Sequence, residues 1–413
     1  MLTRAFPIFL MLTASPLAAL AAPPRLAWDQ LPPLPPAPGQ TVQPGLAGPF
    51  AGVHRDALLV GGGANFPDKM PWDGGTKTWW DDLFVLERRA DGTQAWITDK
   101  HFKLPRRIGY GMSFNTPEGV VCAGGSDAVQ CFSDVFLLAW NPATREVTTS
   151  PLPALPEPLA FMAGATVGHV IYVVGGQKTM KDATGTTTFW SLDLSLRDQP
   201  SRFKWQVLPS LPGPARILPV AAGQSNGKGD HVYVFSGRSQ PTARVSTILG
   251  DGYAFDVTGK QWRKLRAAGP GAQGSGLMVM AGSAAPVSRE QVLVFSGDRG
   301  EIFLELERHD LAVTALRQQI GATSGEAKSK LEAQVTAHLE AKRKIYLNHP
   351  GFSRDVIAYD TVRDTWEVIG QSPGPGQVTT IAVPWDDAIV FPNGEIRPAT
   401  RTPANARLKL LAK

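Results

Sequence analysis

Val170-Ile-Tyr-Val-Val174 runs straight into Gly175-Gly176, and this pairing of a short apolar run with a small-residue doublet decides how the chain folds. It recurs along the sequence. Ala57-Leu-Leu-Val60 leads to Gly62-Gly63, Val120-Val121-Cys122 to Gly124-Gly125, and Val232-Tyr-Val-Phe235 to Ser236-Gly237. Val292-Leu-Val-Phe295 leads to Ser296-Gly297, and Ala388-Ile-Val-Phe391 to Asn393-Gly394. An apolar run of four or five residues has the length of a buried strand. A glycine at its end permits positive φ and lets backbones crowd where a Cβ would clash. Downstream of most doublets lies a second apolar run, such as Asp82-Leu-Phe-Val-Leu86 or Asp355-Val-Ile-Ala-Tyr-Asp360, followed by a tryptophan: Trp96, Trp205, Trp262 or Trp366. The second unit has no such Trp.

Most doublets are spaced by roughly fifty to sixty residues, the period of kelch-type units, each a four-stranded blade of a circular propeller. The predicted fold is therefore all-β, a six-bladed kelch-type β-propeller. Its sixth unit ends early, since after Asn393-Gly394 one further strand near Ala406-Arg-Leu-Lys-Leu-Leu411 fits before Lys413. The missing Trp strand is found at the other terminus, in Leu26-Ala-Trp28-Asp-Gln-Leu-Pro-Pro-Leu-Pro35, which resembles Trp205-Gln-Val-Leu-Pro-Ser-Leu-Pro212. The N-terminal strand is expected to close the ring and so remove two free sheet edges.

With 413 residues, 43% of them hydrophobic, 42 Gly and 35 Pro, the chain suits one large all-β domain over residues 22–413. Residues 1–21 read as an export signal: Arg4, a short apolar core, and the small-residue site Ala19-Leu20-Ala21. Cleavage after Ala21 and a periplasmic or secreted mature protein are expected, without a membrane anchor. Cys122 and Cys131 flank the second doublet, so a disulfide across a hairpin and a buried thiol at Cys122 are both open. Lys plus Arg exceed Asp plus Glu by 41 − 36 = 5, a dispersed excess that points to no nucleic-acid partner. The run Lys342-Arg-Lys344 ends a helical pattern and reads as a solvated face.

From about 301 to 348 the period changes from strand to helix, with Leu304, Leu311, Leu316, Ile320 and then Leu331, Val335, Leu339 recurring at helical spacing. Gly321 and Ser324-Gly-Glu-Ala mark a break between two helices. This hairpin insertion is either a lid over the channel mouth or a surface for packing or homodimer contacts.

Loops that follow the doublets gather at one end of a propeller, around its channel. The sixth carries Asn393-Gly-Glu395-Ile-Arg397-Pro398-Ala-Thr-Arg401-Thr402, so Glu395 and Arg401 stand where a ligand would sit. A carboxylate there can shuttle protons, and an arginine fork suits an anion. The blander reading is a structural ion pair. Matching loops add Asn65, Asp68, Lys69, Gln177, Arg238, Arg244, Asp298 and Arg299. Loops entering first strands add Arg106, Arg107, Tyr110 and Arg216. An arginine-rich mouth favours a carboxylate. The seven histidines show no close pair at ligand spacing, so no metal is predicted.

Phe50-Ala-Gly-Val, Gly61-Gly-Gly-Ala-Asn-Phe-Pro-Asp-Lys-Met-Pro-Trp72, Asp81-Asp-Leu-Phe-Val-Leu86 and the Asn393-Gly-Glu loop resemble the bacterial N-acetylneuraminate (sialic acid) mutarotases, also called epimerases, and in particular their cyclically permuted relatives. The resemblance covers nearly the whole mature chain. It implies an isomerase that interconverts the α and β anomers of N-acetylneuraminate or a related acidic sugar without a cofactor. Glu395 and Arg401 are its implied catalytic pair, with Arg216 and Arg397 near positions that carry a basic residue in that family; Asn65, Arg107 and Arg238, from their loop positions, join these two as expected substrate contacts. A non-catalytic kelch module that binds a glycan or protein is the alternative, and an isomerase of a neutral sugar is a third.

Overall fold

The computed structural model describes residues 25–181, 184–241, 244–266, 277–288 and 290–411; the expected export signal at 1–21 lies outside them. Six antiparallel sheets are built of four main strands each. Blade 1 runs Phe50–His54, Ala57–Gly61, Asp82–Arg88, Gln94–Trp96, with Phe102–Lys103 also pairing to its third strand. Blade 2 is Met112–Thr116, Gly119–Ala123, Val135–Asn141 and Glu146–Pro151; blade 3 is Ala163–Val167, Val170–Val174, Phe189–Asp193 and Gln206–Val207. Blade 4 is Val220–Ser225, Asp230–Phe235, Gly252–Asp256 and Gln261–Lys264; blade 5 is Ser283–Val287, Gln291–Phe295, Asp355–Asp360 and Thr365–Gln371. Blade 6 takes Val383–Trp385, Ala388–Pro392 and Asn405–Leu411 from the C-terminus. Its outer strand is Arg25–Leu31, paired residue for residue with Asn405–Leu411 from Arg25↔Leu411 to Leu31↔Asn405. The ring is thus closed by the N-terminal strand.

The core is not one mass but a wedge at every blade junction. Phe50, Leu59, Val120 and Phe136 fill the wedge between blades 1 and 2, and Leu58, Val60, Val383 and Val390 fill the one between 6 and 1. Equivalent clusters lie at the other junctions. Blades also grip one another through the outer tryptophans. Trp205 Nε1 donates to Pro153 O (2.8 Å), Trp262 Nε1 to Pro209 O (2.7 Å), and Trp96 Nε1 to Pro32 O (3.0 Å). In each case the acceptor lies in the Leu-Pro segment trailing the neighbouring blade, which is why Trp and Leu-Pro recur together. In blade 2 the Trp stands on the third strand instead of the fourth: Trp140 faces Val147, where Trp262 faces Phe255 and Trp366 faces Tyr359.

Both residues of every doublet have positive φ. The first lies at 54–69° and tolerates Ser236, Ser296 or Asn393; the second lies at 80–115° and is always glycine. A Cβ on Gly297 would sit 2.6 Å from Val279 Cβ, so geometry and space both demand glycine there.

A circle of backbone hydrogen bonds rings the axis. Gly48 N–H donates to Thr379 O, Tyr110 to Gly48, Phe161 to Tyr110, Leu218 to Phe161, Ala281 to Leu218 and Thr379 to Ala281, at 2.7–3.1 Å. All six residues have φ of 51–64°. That conformation costs a non-glycine residue about 1–2 kcal/mol, comparable with the roughly 0.5–1.5 kcal/mol from each bond made. Beyond this neck the channel between the inner strands forms a cavity of about 260 Å³, walled by small residues such as Ala163, Gly164, Ala222 and Ala284.

Cys122 and Cys131 are free and buried, so the disulfide reading gives way to separate thiols. Burial pushes the Cys131 thiol up to about 11. Among the described residues no helix is long and apolar enough to cross a membrane. The insertion forms two antiparallel helices, α1 (Glu301–Ile320) and α2 (Gly325–Asn348).

Candidate active site

The residue after each doublet pairs with the residue just before the neck, giving the bridges Ala47↔Ala64, Gly109↔Ser126, Ala160↔Gln177, Ile217↔Arg238, Met280↔Asp298 and Val378↔Glu395. These positions are therefore equivalent around the axis. Three consecutive blades carry Arg238, Asp298 and Glu395 at this position.

Glu395 opens a small hairpin in which Glu395–Arg397 pairs with Thr400–Arg401, and the turn places Ala399 at φ 64°. The register sets Glu395 opposite Arg401. Ala399 N–H donates to Glu395 Oε1 at 2.6 Å, and Arg401 Nη1 lies 3.5 Å from that same oxygen. Glu395 Oε2 has no partner among the described residues. The Arg401 side chain is 4% exposed, and its guanidinium lies 4.9 Å from the centre of the Phe66 ring. Its Nε and Nη1 nevertheless lack hydrogen-bond partners among the described residues. A buried donor left unmade costs about 1–3 kcal/mol, so this guanidinium has room for a further acceptor. Burial opposes its charge, yet Glu395 and Tyr110 outweigh burial and hold its pKa above the ordinary value.

Asp298 stands one blade away. Gly300 N–H donates to its Oδ1 at 2.7 Å, while Oδ2 has no partner among the described residues. Burial, with the charge of Glu395 adding to it, pushes the Asp298 carboxyl up to about 6, against the Gly300 bond and Arg238.

The helical insertion crosses this end of the ring. On one side Glu307 of α1 accepts from Arg238 Nη1 (2.8 Å), Ser246 N–H (2.8 Å) and Ser246 Oγ (2.8 Å), with both charged side chains largely buried. On the other, Tyr346 of α2 stacks on Trp72 of blade 1 with ring centres 5.1 Å apart, and Arg343 Nη2 lies 3.4 Å from Asp73. Behind α2, a Cβ on Gly351 would lie 3.4 Å from Ile396 O in the Glu395 hairpin. Tyr346 and His349 both sense the Glu395 charge, though burial is the larger influence on each, raising the phenol and lowering the imidazole. The hairpin is docked over the mouth.

Several arginines expected at the mouth have other work. Arg216 is fully buried, its Nη1 and Nη2 on Asp251 at 2.8 and 2.9 Å, with Nη1 and Nε on the carbonyls of Ser236 and Pro214. It braces blade 4 and cannot reach a ligand. Arg238 is held by Glu307 and lies under Phe303, so it anchors α1. Asn65 uses both ends of its amide, donating to Gly45 O and accepting from Trp80 Nε1, which makes it a turn brace. Arg107 and Arg397 are exposed and have no partner among the described residues, and Arg397 sits close enough to His349 to depress it. The residues the sequence reading did not single out are Phe66, under Arg401, and Tyr346, above Glu395. Phe66 lies in the quoted stretch Gly61–Trp72, which was its one visible signal.

Among the described residues no three His, Cys, Asp or Glu side chains cluster as a metal-ligand set. The arrangement can instead bind an anion at Arg401 and move protons at two carboxylates. The 260 Å³ channel cavity lies beyond the neck and is lined by neither Glu395 nor Arg401.

The family model described as N-acetylneuraminate epimerase matches residues 13–147 and 152–413. The N-acetylneuraminate epimerase of Pasteurella multocida (strain Pm70) is 28% identical over 255 residues, covering 62% of this chain and 57% of that protein. That of Haemophilus influenzae (strain 86-028NP) is 26% identical over 261 residues, covering 63% and 60%. The chain thus spans about three fifths of the length of these relatives. The solved structure of YjhT matches with a TM-score of 0.57 at 14% identity, covering 91% of this chain and 95% of that one, a likeness of fold. The family match includes the Glu395 hairpin, the neck and the closing strand alike, and on that extent the chain belongs to the N-acetylneuraminate epimerase family.

Proposed function

We propose that the protein is a mutarotase that interconverts the α and β anomers of N-acetylneuraminate or a related acidic sugar. The observation that carries this reading is the buried Arg401 with two unpartnered nitrogens, 3.5 Å from a carboxylate that keeps one oxygen free. Arg401 holds the carboxylate borne on the anomeric carbon, with Phe66 fixing the plane of the guanidinium. Glu395 takes the proton of the anomeric hydroxyl as the bond from that carbon to the ring oxygen breaks. The ring oxygen gains a proton and the open-chain keto acid forms. Rotation and closure on the other carbonyl face return the protons and give the second anomer. No redox change or cofactor enters this balance.

Anomer exchange already proceeds in water, so positioned acid–base help of about 10²–10⁴-fold suffices. The test adds the protein to freshly released α anomer and follows the anomeric signals by NMR. Exchange at the buffer rate, or full acceleration by Glu395→Gln, refutes the assignment; tight sugar binding without acceleration supports a binding module instead.

We also propose export to the periplasm with cleavage after Ala21, which rests on the charge, apolar core and small-residue site of residues 1–21. N-terminal sequencing of the fractionated protein checks it: a mature chain beginning at Ala22 is expected, and a cytoplasmic chain retaining Met1 overturns it.

A further inference from the structure

Asp298 and Glu395 occupy the same structural position in adjacent blades, each the residue after its doublet and each bridged to the residue before the neck. Their carboxylates are held alike. Gly300 N–H pins Asp298 Oδ1 at 2.7 Å, Ala399 N–H pins Glu395 Oε1 at 2.6 Å, and the second oxygen of each is free of partners among the described residues. We propose that Asp298 is a second catalytic residue of this site, a general acid that serves the ring oxygen while Glu395 serves the anomeric hydroxyl. This rests on the mutarotase reading and deepens it.

The chemistry of anomer exchange asks for such a pair. Ring opening removes a proton from one oxygen and adds one to another, and two fixed groups in opposite protonation states do this without either having to move. Asp298 donates its proton to the ring oxygen as the carbon–oxygen bond breaks and that oxygen takes the bond's electron pair. Glu395 accepts the hydroxyl proton as the carbonyl forms. On reclosure the attacking hydroxyl returns its proton to Asp298, and Glu395 reprotonates the carbonyl oxygen, so both groups end as they began.

The surroundings separate the two roles. Glu395 has the Arg401 cation at 3.5 Å on its own hairpin. Asp298 faces Glu395 from blade 6 and Arg238 from blade 4, and that arginine is already engaged by Glu307 of α1 at 2.8 Å. Tyr346 and His349, from the end of the insertion and just beyond it, stand near the Glu395 side with Arg397 of the same hairpin, and Tyr110 lies against Arg401. Buried and beside a like charge, the Asp298 carboxyl is pushed up to about 6, so it still carries a proton in an appreciable fraction of molecules near neutrality. Paired carboxylates whose environments drive their protonation apart are the general pattern of an acid and a base in one site.

The experiment compares wild type, Asp298→Asn and Glu395→Gln by NMR anomer exchange between pH 5 and 8, with the buffer rate subtracted at each pH. Asparagine keeps an oxygen for Gly300 N–H, so the local turn is preserved. The expected result is a wild-type rate that falls as pH rises through about 6, and a loss of about 10²-fold or more in Asp298→Asn with that fall abolished. Asp298→Asn with a wild-type rate and an unchanged profile overturns the proposal while Glu395→Gln, still inactive, leaves the mutarotase reading standing. If wild type itself does not exceed buffer, the reading beneath it fails instead. Should Asp298→Asn not fold, the wild-type profile decides: an alkaline fall centred near 6 supports the assignment, and a flat profile overturns it.

Discussion

Replacing Arg401 by glutamine removes the charge of a guanidinium that is 4% exposed and leaves a neutral amide beside Phe66 and Glu395. The size of the effect follows from what the arginine is there to hold. Two unit charges about 4 Å apart interact by about 4 kcal/mol at the effective dielectric of about 20 that suits such sites. The net worth of a hydrogen bond to a charged group is smaller, about 1.5–3 kcal/mol. At about 1.4 kcal/mol per tenfold, this corresponds to roughly 10- to 150-fold in kcat/KM. The assay measures anomer exchange on N-acetylneuraminate and on its methyl ester, which keeps the ring and the anomeric hydroxyl but has no carboxylate charge. Wild type should prefer the acid by that factor, and Arg401→Gln should reduce the preference to less than about threefold. The ratio is taken within one protein sample, so it is insensitive to how much of the variant is folded. A wild-type preference near one, or a preference that survives in Arg401→Gln, would refute the assignment of Arg401 to the substrate carboxylate and favour a neutral sugar.

Three further outcomes follow from the geometry. Gly297→Ala forces a side chain to φ 115° and a Cβ to 2.6 Å from Val279, so it should lower stability by about 1–3 kcal/mol. Ser296→Gly next to it, at φ 59°, should change denaturant midpoints by less than a third as much. Deleting residues 25–31 exposes the edge of Asn405–Leu411 and removes the Asp29–Arg407 pair and the Trp96 acceptor Pro32's tether, so the truncated chain should melt at markedly lower temperature and aggregate. Asp298→Asn should stabilise the fold at alkaline pH. A carboxyl raised from 3.8 to about 6 on folding contributes stability that is full below pH 3.8 and is lost as pH rises through about 6. The variant escapes that loss, so calorimetry should find its Tm about 2 °C above wild type at about pH 8 and equal to it at about pH 3.

The ring could be read before any coordinates because its signals are local. The doublets report backbone angles that glycine satisfies within one or two residues, and the tryptophan with its Leu-Pro tail reports a contact that three of the junctions repeat. The N-terminal strand was recognisable for the same reason, since Trp28 and Pro32 carry the motif of a strand that otherwise had no partner. Even the variation is intelligible: serine or asparagine replaces the first doublet residue, near φ 60°, and never the second. Glu395 and Arg401 were legible for a related reason, lying across a single short hairpin whose register sets them opposite each other.

The fates of the other arginines were not legible. Arg216, Arg238 and Arg401 all sit in loops at the same end of the ring, and nothing near them in the chain tells them apart. Asp251 neutralises Arg216 from just before another strand, Glu307 captures Arg238 from a helix inserted within the next blade, and Arg401 keeps two buried nitrogens without hydrogen-bond partners among the described residues, where Arg238 keeps one. Nor could composition reveal that Phe66 of the first blade lies under an arginine of the last, or that Tyr346 reaches from the insertion to Trp72. Periodicity records which way a residue faces, because backbone geometry repeats every few positions. Which charge meets which depends on separate segments brought together by closure of the ring, and that pairing distinguishes an arginine that braces a blade from one left with unpartnered nitrogens.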